Sequence, residues 1–333
     1  MKVGIVGLGT MGTTHAAGYQ SVAGAKLVAV ADIQPNRSHA VAERYGVRSY
    51  ATLAEMLEAE DLDVVDVCLP TFLHRQAVEM AAAAGKHVFC EKPLALTPED
   101  AKAMVDACRK AGVTLGVGHV VRFFPEYQKA KTVLAAGEMG KIGTVYMYRG
   151  GGGFPTAWQD WYARHEWSGG IVLDLMIHDL DFLLWTMGDV ERVFAKSTWR
   201  RDYGRMEHAL VSLRFANGVI GNVEGTWLPL ESFKTEFEFA GTNGLLSHSS
   251  AHAVSFKSHQ LQTPGEAGPQ GVTVPRSPVT RSPYSLELEH FIDCLHKGVE
   301  PIINGEAGLR AVTLVAAAQK SIETGKPVGL ERG

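Results

Sequence analysis

Lys2-Val3-Gly4-Ile5-Val6-Gly7-Leu8-Gly9-Thr10-Met11-Gly12 is the stretch that decides the fold. An apolar run suited to a strand buried on both faces passes directly into Gly-x-Gly-x-x-Gly, and a helical pattern follows at once. Strand, glycine turn and helix in that order make the dinucleotide-binding fingerprint. Gly7 permits the tight turn, Gly9 lets the backbone approach a pyrophosphate, and Gly12 allows the helix to pack closely on the strand. Backbone N–H groups around Leu8, Thr10 and Met11, together with the positive end of the helix, then hold negative charge. Asp32 follows Gly12 by 20 residues, at the end of the next candidate strand, where a carboxylate accepts hydrogen bonds from the ribose hydroxyls. The same carboxylate repels a 2′-phosphate, which favours NAD over NADP, although Arg37 stands near enough to receive one. Ile33, beside Asp32, joins the expected cofactor contacts.

Working outward, short apolar runs alternate with helical patterns as far as residue 121. Candidate strands are Lys2 to Val6, Lys26 to Ala31, Val64 to Leu69, His87 to Cys90 and Thr114 to Val117. Amphipathic segments lie around Thr13 to Ser21, Pro35 to Tyr45, Leu53 to Ala59, Arg75 to Ala84 and Pro98 to Ala111. Thr97 before Pro98, with Glu99 and Asp100 in the first turn, is a helix start. This repeated alternation implies right-handed crossovers and a doubly wound parallel sheet of the Rossmann type.

Beyond Arg122 the pattern changes. Polar and apolar residues alternate over Glu207 to Phe215, Asn217-Gly218 follows, and Val219 to Trp227 resumes, as in an antiparallel hairpin with one wet face. Lys234 to Ala240 with Asn243-Gly244 and Leu245-Leu246 repeats the device. Long helical patterns run from Gly170 to Met187, Ser285 to His296 and Glu306 to Glu323, and Gln260 to Ser282 reads as a loop with one short strand at most. The expected organisation is α/β: a Rossmann domain over residues 1–121, then an α+β domain over 122–333 built on a mainly antiparallel open sheet.

The 333 residues carry 32 Lys+Arg against 36 Asp+Glu, a net charge of −4 that offers no footprint for nucleic acid or an anionic membrane. No apolar stretch approaches the roughly 20 residues a bilayer span needs, and the N-terminus lacks the form of a signal peptide. Cys68, Cys90, Cys108 and Cys294 show neither CxxC spacing nor a disulfide-dense pattern, which points to reduced thiols in the cytoplasm.

Glu91-Lys92-Pro93 after the fourth strand, and Ser168-Gly169-Gly170 leading to Asp174 and His178, complete a set of motifs together with the fingerprint. By these the sequence resembles the glucose-fructose oxidoreductase, inositol dehydrogenase and rhizopine catabolism (Gfo/Idh/MocA) family over nearly its whole length. Asp-Leu-Met-Ile-His-Asp-Leu-Asp is most similar to the inositol dehydrogenase branch. The resemblance implies that Lys92, Asp174 and His178 are the catalytic groups and that the Lys92–Pro93 peptide is cis. It also implies that Leu69, Pro70, Thr71, His74, Glu91 and Lys92 help to hold the cofactor.

The residues themselves lead to compatible chemistry. Oxidising a secondary alcohol requires a base within hydrogen-bond reach of the hydroxyl, and a histidine with an ordinary pKa of about 6.5 takes and returns a proton at neutral pH. Lys92, at a strand's C-terminal end where open α/β sheets place ligands, would stabilise a developing alkoxide. A spacing of four puts Asp174 and His178 on one face of a regular helix. Alternatives stand beside these: Lys92 as a solvated surface charge, His178 as a hydrogen-bonded core residue, Thr71 as a helix cap. His119, Arg122 and Trp161 are further candidates for a sugar cleft, though packing alone would explain Trp161. Asp174, His178 and Asp181 offer a single nitrogen ligand, so no metal is expected.

The expectation is thus a cytoplasmic NAD-dependent dehydrogenase of a cyclic polyol or pyranose sugar, an inositol first, forming a homodimer or homotetramer through the second domain's sheet. A keto-sugar, diol or glycoside oxidoreductase of the same family and a catalytically silent NAD-sensing protein are the alternatives.

Overall fold

The structure, a computed structural model, describes residues 1–198, 206–228, 232–252 and 281–330. The chain divides into two units, one of Met1–Phe124 with Val274–Thr313 and the other of Pro125–Thr273 with Leu314–Gly333.

In the first unit, β1 (Lys2–Val6), β2 (Lys26–Ala31), β3 (Arg48–Tyr50), β4 (Val64–Val67), β5 (His87–Glu91) and β6 (Leu115–Gly118) form a parallel sheet in the order β3-β2-β1-β4-β5-β6. Five of these coincide with the expected apolar runs. The sixth, β3, is the short polar edge segment Arg48-Ser49-Tyr50, which gives no apolar signal. The order reverses between β1 and β4, the point where doubly wound sheets open a crevice at the strands' carboxyl ends.

The helices α1 (Thr10–Gly18), α2 (Pro35–Tyr45), α3 (Leu53–Ala59), α4 (His74–Ala83) and α5 (Pro98–Ala111) connect the strands. Local chemistry fixes their ends. The Thr97 hydroxyl accepts the Asp100 N–H at 3.1 Å, Pro98 opens α5, and Gly112 ends it in the left-handed region at φ +68°. Ala101, Met104, Val105 and Cys108 then supply one buried face at helical spacing.

The second unit holds α6 (Pro125–Ala135), β7 (Ile142–Gly150), α7 (His165–Ser168), α8 (Gly170–Asp174), α9 (Ile177–Met187), β8 (Val190–Ser197), β9 (His208–Phe215), β10 (Ile220–Thr226), β11 (Lys234–Gly241) and β12 (Gly244–Ser249). With β13 (Val328–Gly329) they make a seven-stranded sheet in the order β12-β11-β7-β10-β9-β8-β13. Only β7 and β10 run parallel; the other neighbours are antiparallel. Alternation in β9 buries Ala209, Val211, Leu213 and Phe215 and leaves Leu210, Ser212 and Arg214 outward. β7 escaped the sequence pattern because Tyr146 and Tyr148 alternate with Val145 and Met147, so both of its faces carry apolar groups.

The single helix expected from Gly170 to Met187 is interrupted. The Ile171 carbonyl accepts N–H groups from both Leu175 and Met176 at 3.0 Å, a local π-type widening that ends α8 before α9 begins. Helical register is therefore not continuous from Asp174 to His178.

The last two helices are α10 (Pro283–Lys297) and α11 (Gly305–Thr324). Leu288, Phe291 and Ile292 of α10 belong to one buried cluster with Val3, Ile5, Ala16, Leu27 and Phe89. Each such side chain contributes about 1.5–3 kcal/mol by leaving water. The expected loop from Gln260 to Ser282 lies outside the described residues up to residue 280.

Candidate active site

In the first unit the fingerprint loop closes β1. Gly7 sits at φ +87° and donates its N–H to Ala31 O at 2.9 Å. A Cβ on Gly12 would lie 1.9 Å from Gly7 O, so only glycine lets α1 stand this close to the turn. Gly9 is the N-cap of α1, and a Cβ there would meet nothing within 4 Å. The loop is thus tight against its own strand and open on the side a pyrophosphate would approach, with Thr10 and Met11 in the first helical turn. Asp32 organises this corner: its two carboxylate oxygens accept the N–H groups of Leu8 at 2.7 Å and Gln34 at 2.8 Å. Each oxygen keeps a lone pair for a ribose hydroxyl. Ile33 is exposed and Arg37 half-buried in the first turn of α2. These residues fit the group they are expected to hold.

Along the same carboxyl edge lie the ends of β4 and β5. Leu69 and Pro70 are half-buried, and Thr71 is buried at the start of a short helical turn. The N-cap of α4 is Leu73 and has no side-chain cap, so Thr71 does not serve as one. His74 is buried, with Nε2 at 2.7 Å from Leu69 O and Nδ1 at 2.9 Å from Pro93 O. Burial lowers its pKa, against the pull of the surrounding carbonyls, and the ring ties the loop after β4 to the turn after β5. Lys92, half-buried, follows β5 directly, and its peptide bond to Pro93 is cis. Its N–H donates to the Glu91 carboxylate at 3.0 Å. His119 and Arg122 follow β6 and are buried, the Arg122 guanidinium donating to Ile302 O at 2.9 Å.

In the second unit, Gln159 and Asp160 hold left-handed backbone (φ 51° and 54°) just before Trp161, whose ring stacks on Tyr162 at 3.9 Å. Ser168 accepts the Gly170 N–H and donates to Tyr162 O at 2.9 Å, which sets the turn into α8. Asp174 is buried at the end of α8. From Ser168 to Leu184 every residue is buried except His178.

Three groups escaped the sequence analysis. The Glu207 carboxylate accepts the Ile171 N–H at 2.8 Å, capping α8, and burial followed by the Asp174 charge raises its pKa, against the pull of that N–H. The Arg149 guanidinium, from β7, donates to both oxygens of Asp179 at 2.8 Å, which pins the residue next to His178. His15 of α1 and Asp66 of β4 pair in the core at 2.9 Å. The last pair left a signal: a carboxylate within the strand run Val-Val-Asp-Val demands a buried partner.

Two family models match the chain, "Oxidoreductase family, NAD-binding Rossmann fold" over residues 1–119 and "Oxidoreductase family, C-terminal alpha/beta domain" over residues 138–330. The myo-inositol 2-dehydrogenase of Thermotoga maritima is 33% identical over 340 residues, covering 99% of both chains. The scyllo-inositol 2-dehydrogenase (NAD(+)) of Bacillus subtilis is 32% identical, over 99% of this chain and 96% of that protein. Among solved structures, GenD2 from gentamicin A biosynthesis in complex with NAD superposes with a TM-score of 0.88 at 26% identity, over 99% of this chain and 96% of its own. Among the described residues no helix is long and apolar enough to cross a membrane. The fingerprint, the Glu91-Lys92-Pro93 turn, the second unit's mixed sheet and these matches agree: the chain belongs to the Gfo/Idh/MocA family of NAD-binding oxidoreductases.

Proposed function

We propose that this oxidoreductase oxidises a secondary hydroxyl of a cyclic polyol or pyranose sugar with NAD, an inositol being the first substrate to test, and that Lys92, Asp174 and His178 handle the proton. The observation that carries it is that Lys92 directly follows a parallel strand, at the sheet edge where the fingerprint loop opens. Bound NAD supplies the hydride acceptor. His178, the one half-buried position in an otherwise buried stretch, takes the hydroxyl proton. The Lys92 ammonium stabilises the alkoxide that forms, and Asp174 orients the imidazole or a neighbouring hydroxyl. The expected cofactor contacts, from Gly7 to Gly12 with Asp32, Ile33, Arg37, Leu69, Pro70, Thr71, His74 and Glu91, remain part of this proposal, as do His119, Arg122 and Trp161 as substrate contacts. The inositol 2-dehydrogenase relatives support the substrate class.

The finer assignments are a cytoplasmic enzyme, supported by four free cysteines, and a homodimer or homotetramer through the outward sheet face that carries Leu210 and Ile220. The test is absorbance of reduced nicotinamide with a panel of inositols and aldoses, NAD and NADP in parallel. NAD-dependent turnover of at least one polyol or sugar is expected, and Lys92→Ala should abolish it while NAD still binds. Binding without turnover of any substrate refutes the proposal, and equal loss of binding and turnover in Lys92→Ala refutes the role of Lys92.

A further inference from the structure

Beneath the fingerprint lies a line of charge that the proposed chemistry does not use. His15, three residues after Gly12 in α1, has no solvent exposure. Its Nδ1 stands 2.9 Å from Oδ2 of Asp66, itself fully buried in β4. Its Nε2 stands 3.1 Å from Oε1 of Glu91, the last residue of β5, at ion-pair distance but without the alignment of a hydrogen bond. The other Glu91 oxygen, Oε2, accepts the Lys92 N–H at 3.0 Å. The Cys68 thiol closes the group, lying 3.3 Å from both Nδ1 of His15 and Oδ1 of Asp66.

The donors of His15, Asp66 and Cys68 all lie within 4.8 Å of one another, as metal ligands would. Their pairing is nevertheless that of hydrogen bonds: the thiol donates to one Asp66 oxygen and the imidazole to the other. A proton on each ring nitrogen suits the arrangement, because Nδ1 pairs with the Asp66 carboxylate and Nε2 lies at ion-pair distance from the Glu91 carboxylate. An imidazolium between two buried carboxylates is also the arrangement that offsets their desolvation. A Cβ on Gly118 would lie 3.1 Å from Oε1 of Glu91, so β6 leaves just enough room for the carboxylate. The Glu91 carboxylate is thereby held between His15, the β6 backbone and the Lys92 amide.

We propose that His15 is a positioning residue: seated on Asp66, it fixes the Glu91 carboxylate, and that carboxylate fixes the main chain from which the Lys92 side chain leaves the sheet edge. The inference deepens the assignment of Lys92 and rests on it. It also connects two motifs that the sequence presents separately, since the helix that opens with the glycine fingerprint carries the residue that sets the Glu-Lys-Pro turn.

Two substitutions separate positioning from general support of the core. His15→Gln places a side-chain N–H near the position of Nε2 and keeps the donor toward Glu91; His15→Asn places it near Nδ1 and keeps the donor toward Asp66. Both remove the ring and the charge. Positioning through Glu91 requires that His15→Asn lower kcat by about tenfold to a hundredfold, as a displaced catalytic group does. His15→Gln should stay within about threefold of wild type, with KM and NAD affinity alike in both variants. In a Glu91→Gln background, which retains an oxygen for the Lys92 N–H, His15→Asn should add little further loss, because the two residues act in series.

Hydrogen exchange at the Lys92 amide gives a readout that needs no turnover: exchange should quicken in His15→Asn and Glu91→Gln and stay near wild type in His15→Gln. Equal loss of kcat in both His15 variants, additive loss with Glu91→Gln, or unchanged exchange at Lys92 overturns the inference. Should wild-type protein turn over no polyol or sugar, the functional assignment fails, and the exchange pattern alone still decides whether His15 sets the turn.

Discussion

Two alanine substitutions in the fingerprint, three residues apart, should fail in opposite ways. At Gly12 the added Cβ would stand 1.9 Å from Gly7 O and 2.9 Å from Gly7 C, where ordinary contact begins at 3.4 Å. Both obstacles are main chain, so neither moves aside as a side chain would, and α1 has to retreat from the turn. Overpacking of this kind costs about 1–3 kcal/mol, and a backbone clash belongs at the upper end. Three kcal/mol corresponds to a fall in Tm of roughly 6–12 °C for a unit of this size. At Gly9 the Cβ would meet nothing within 4 Å, and φ −72°, ψ −157° is extended backbone open to alanine. Gly9→Ala should therefore keep its stability within about 1 kcal/mol of wild type, the margin of an exchanged N-cap. Its methyl group occupies the face that a pyrophosphate would approach, so NAD affinity should fall at least tenfold, about 1.4 kcal/mol. Thermal melts and calorimetric titration with NAD measure both quantities on the same samples. Wild-type NAD affinity in Gly9→Ala would refute the proposed path of the pyrophosphate, and wild-type stability in Gly12→Ala would refute the packing argument.

Arg149→Met leaves the buried Asp179 carboxylate without its two donors and should destabilise the protein by about 3–5 kcal/mol in urea titrations, with Asp179→Leu added to it recovering most of the loss. His15 gives a pH signature. Burial is the largest single influence and opposes its charge, but Asp66 and Cys68 together outweigh it, and its pKa lies well above the ordinary 6.5. A group raised on folding contributes stability that is full below its unfolded pKa and is lost as pH rises through its folded pKa. The difference in urea midpoint between wild type and His15→Gln should be largest below about pH 6 and shrink toward alkaline pH; a difference that grows with pH contradicts the assignment of charge.

Much of this molecule was legible in its sequence, for identifiable reasons. Strands buried on both faces announce themselves as apolar runs, and β1 and β2 begin and end where those runs do. Pro35 and Thr97-Pro98 mark helix starts through backbone chemistry that needs no tertiary context. The missing parts were those where long-range contacts decide. β3 is a strand because β2 offers it an edge, and β7 because β10 and β11 flank it. The break between Asp174 and His178 arises from a doubly accepting carbonyl at Ile171, which no periodicity records. Of the site, the fingerprint, Asp32 and the Glu91-Lys92-Pro93 turn could be read from motif and spacing. His15, Asp66, Arg149 and Glu207 could not, because what assigns them is the partner each meets across the fold.

The contribution of α10 to the first unit's core bears on how the protein is made. Roughly half of the chain's length separates Gly118, where β6 ends, from Pro283, where α10 begins. At a translation rate of about 5–20 residues per second, the six strands wait on the order of ten seconds or more for Leu288, Phe291 and Ile292 to emerge. During that interval the apolar floor formed by Val3, Ile5, Ala16 and Phe89 is without its cover, a surface on which a holdase chaperone would act. A message truncated between Gly118 and Phe291 leaves that floor open for good, and with it a first domain whose motifs are all intact.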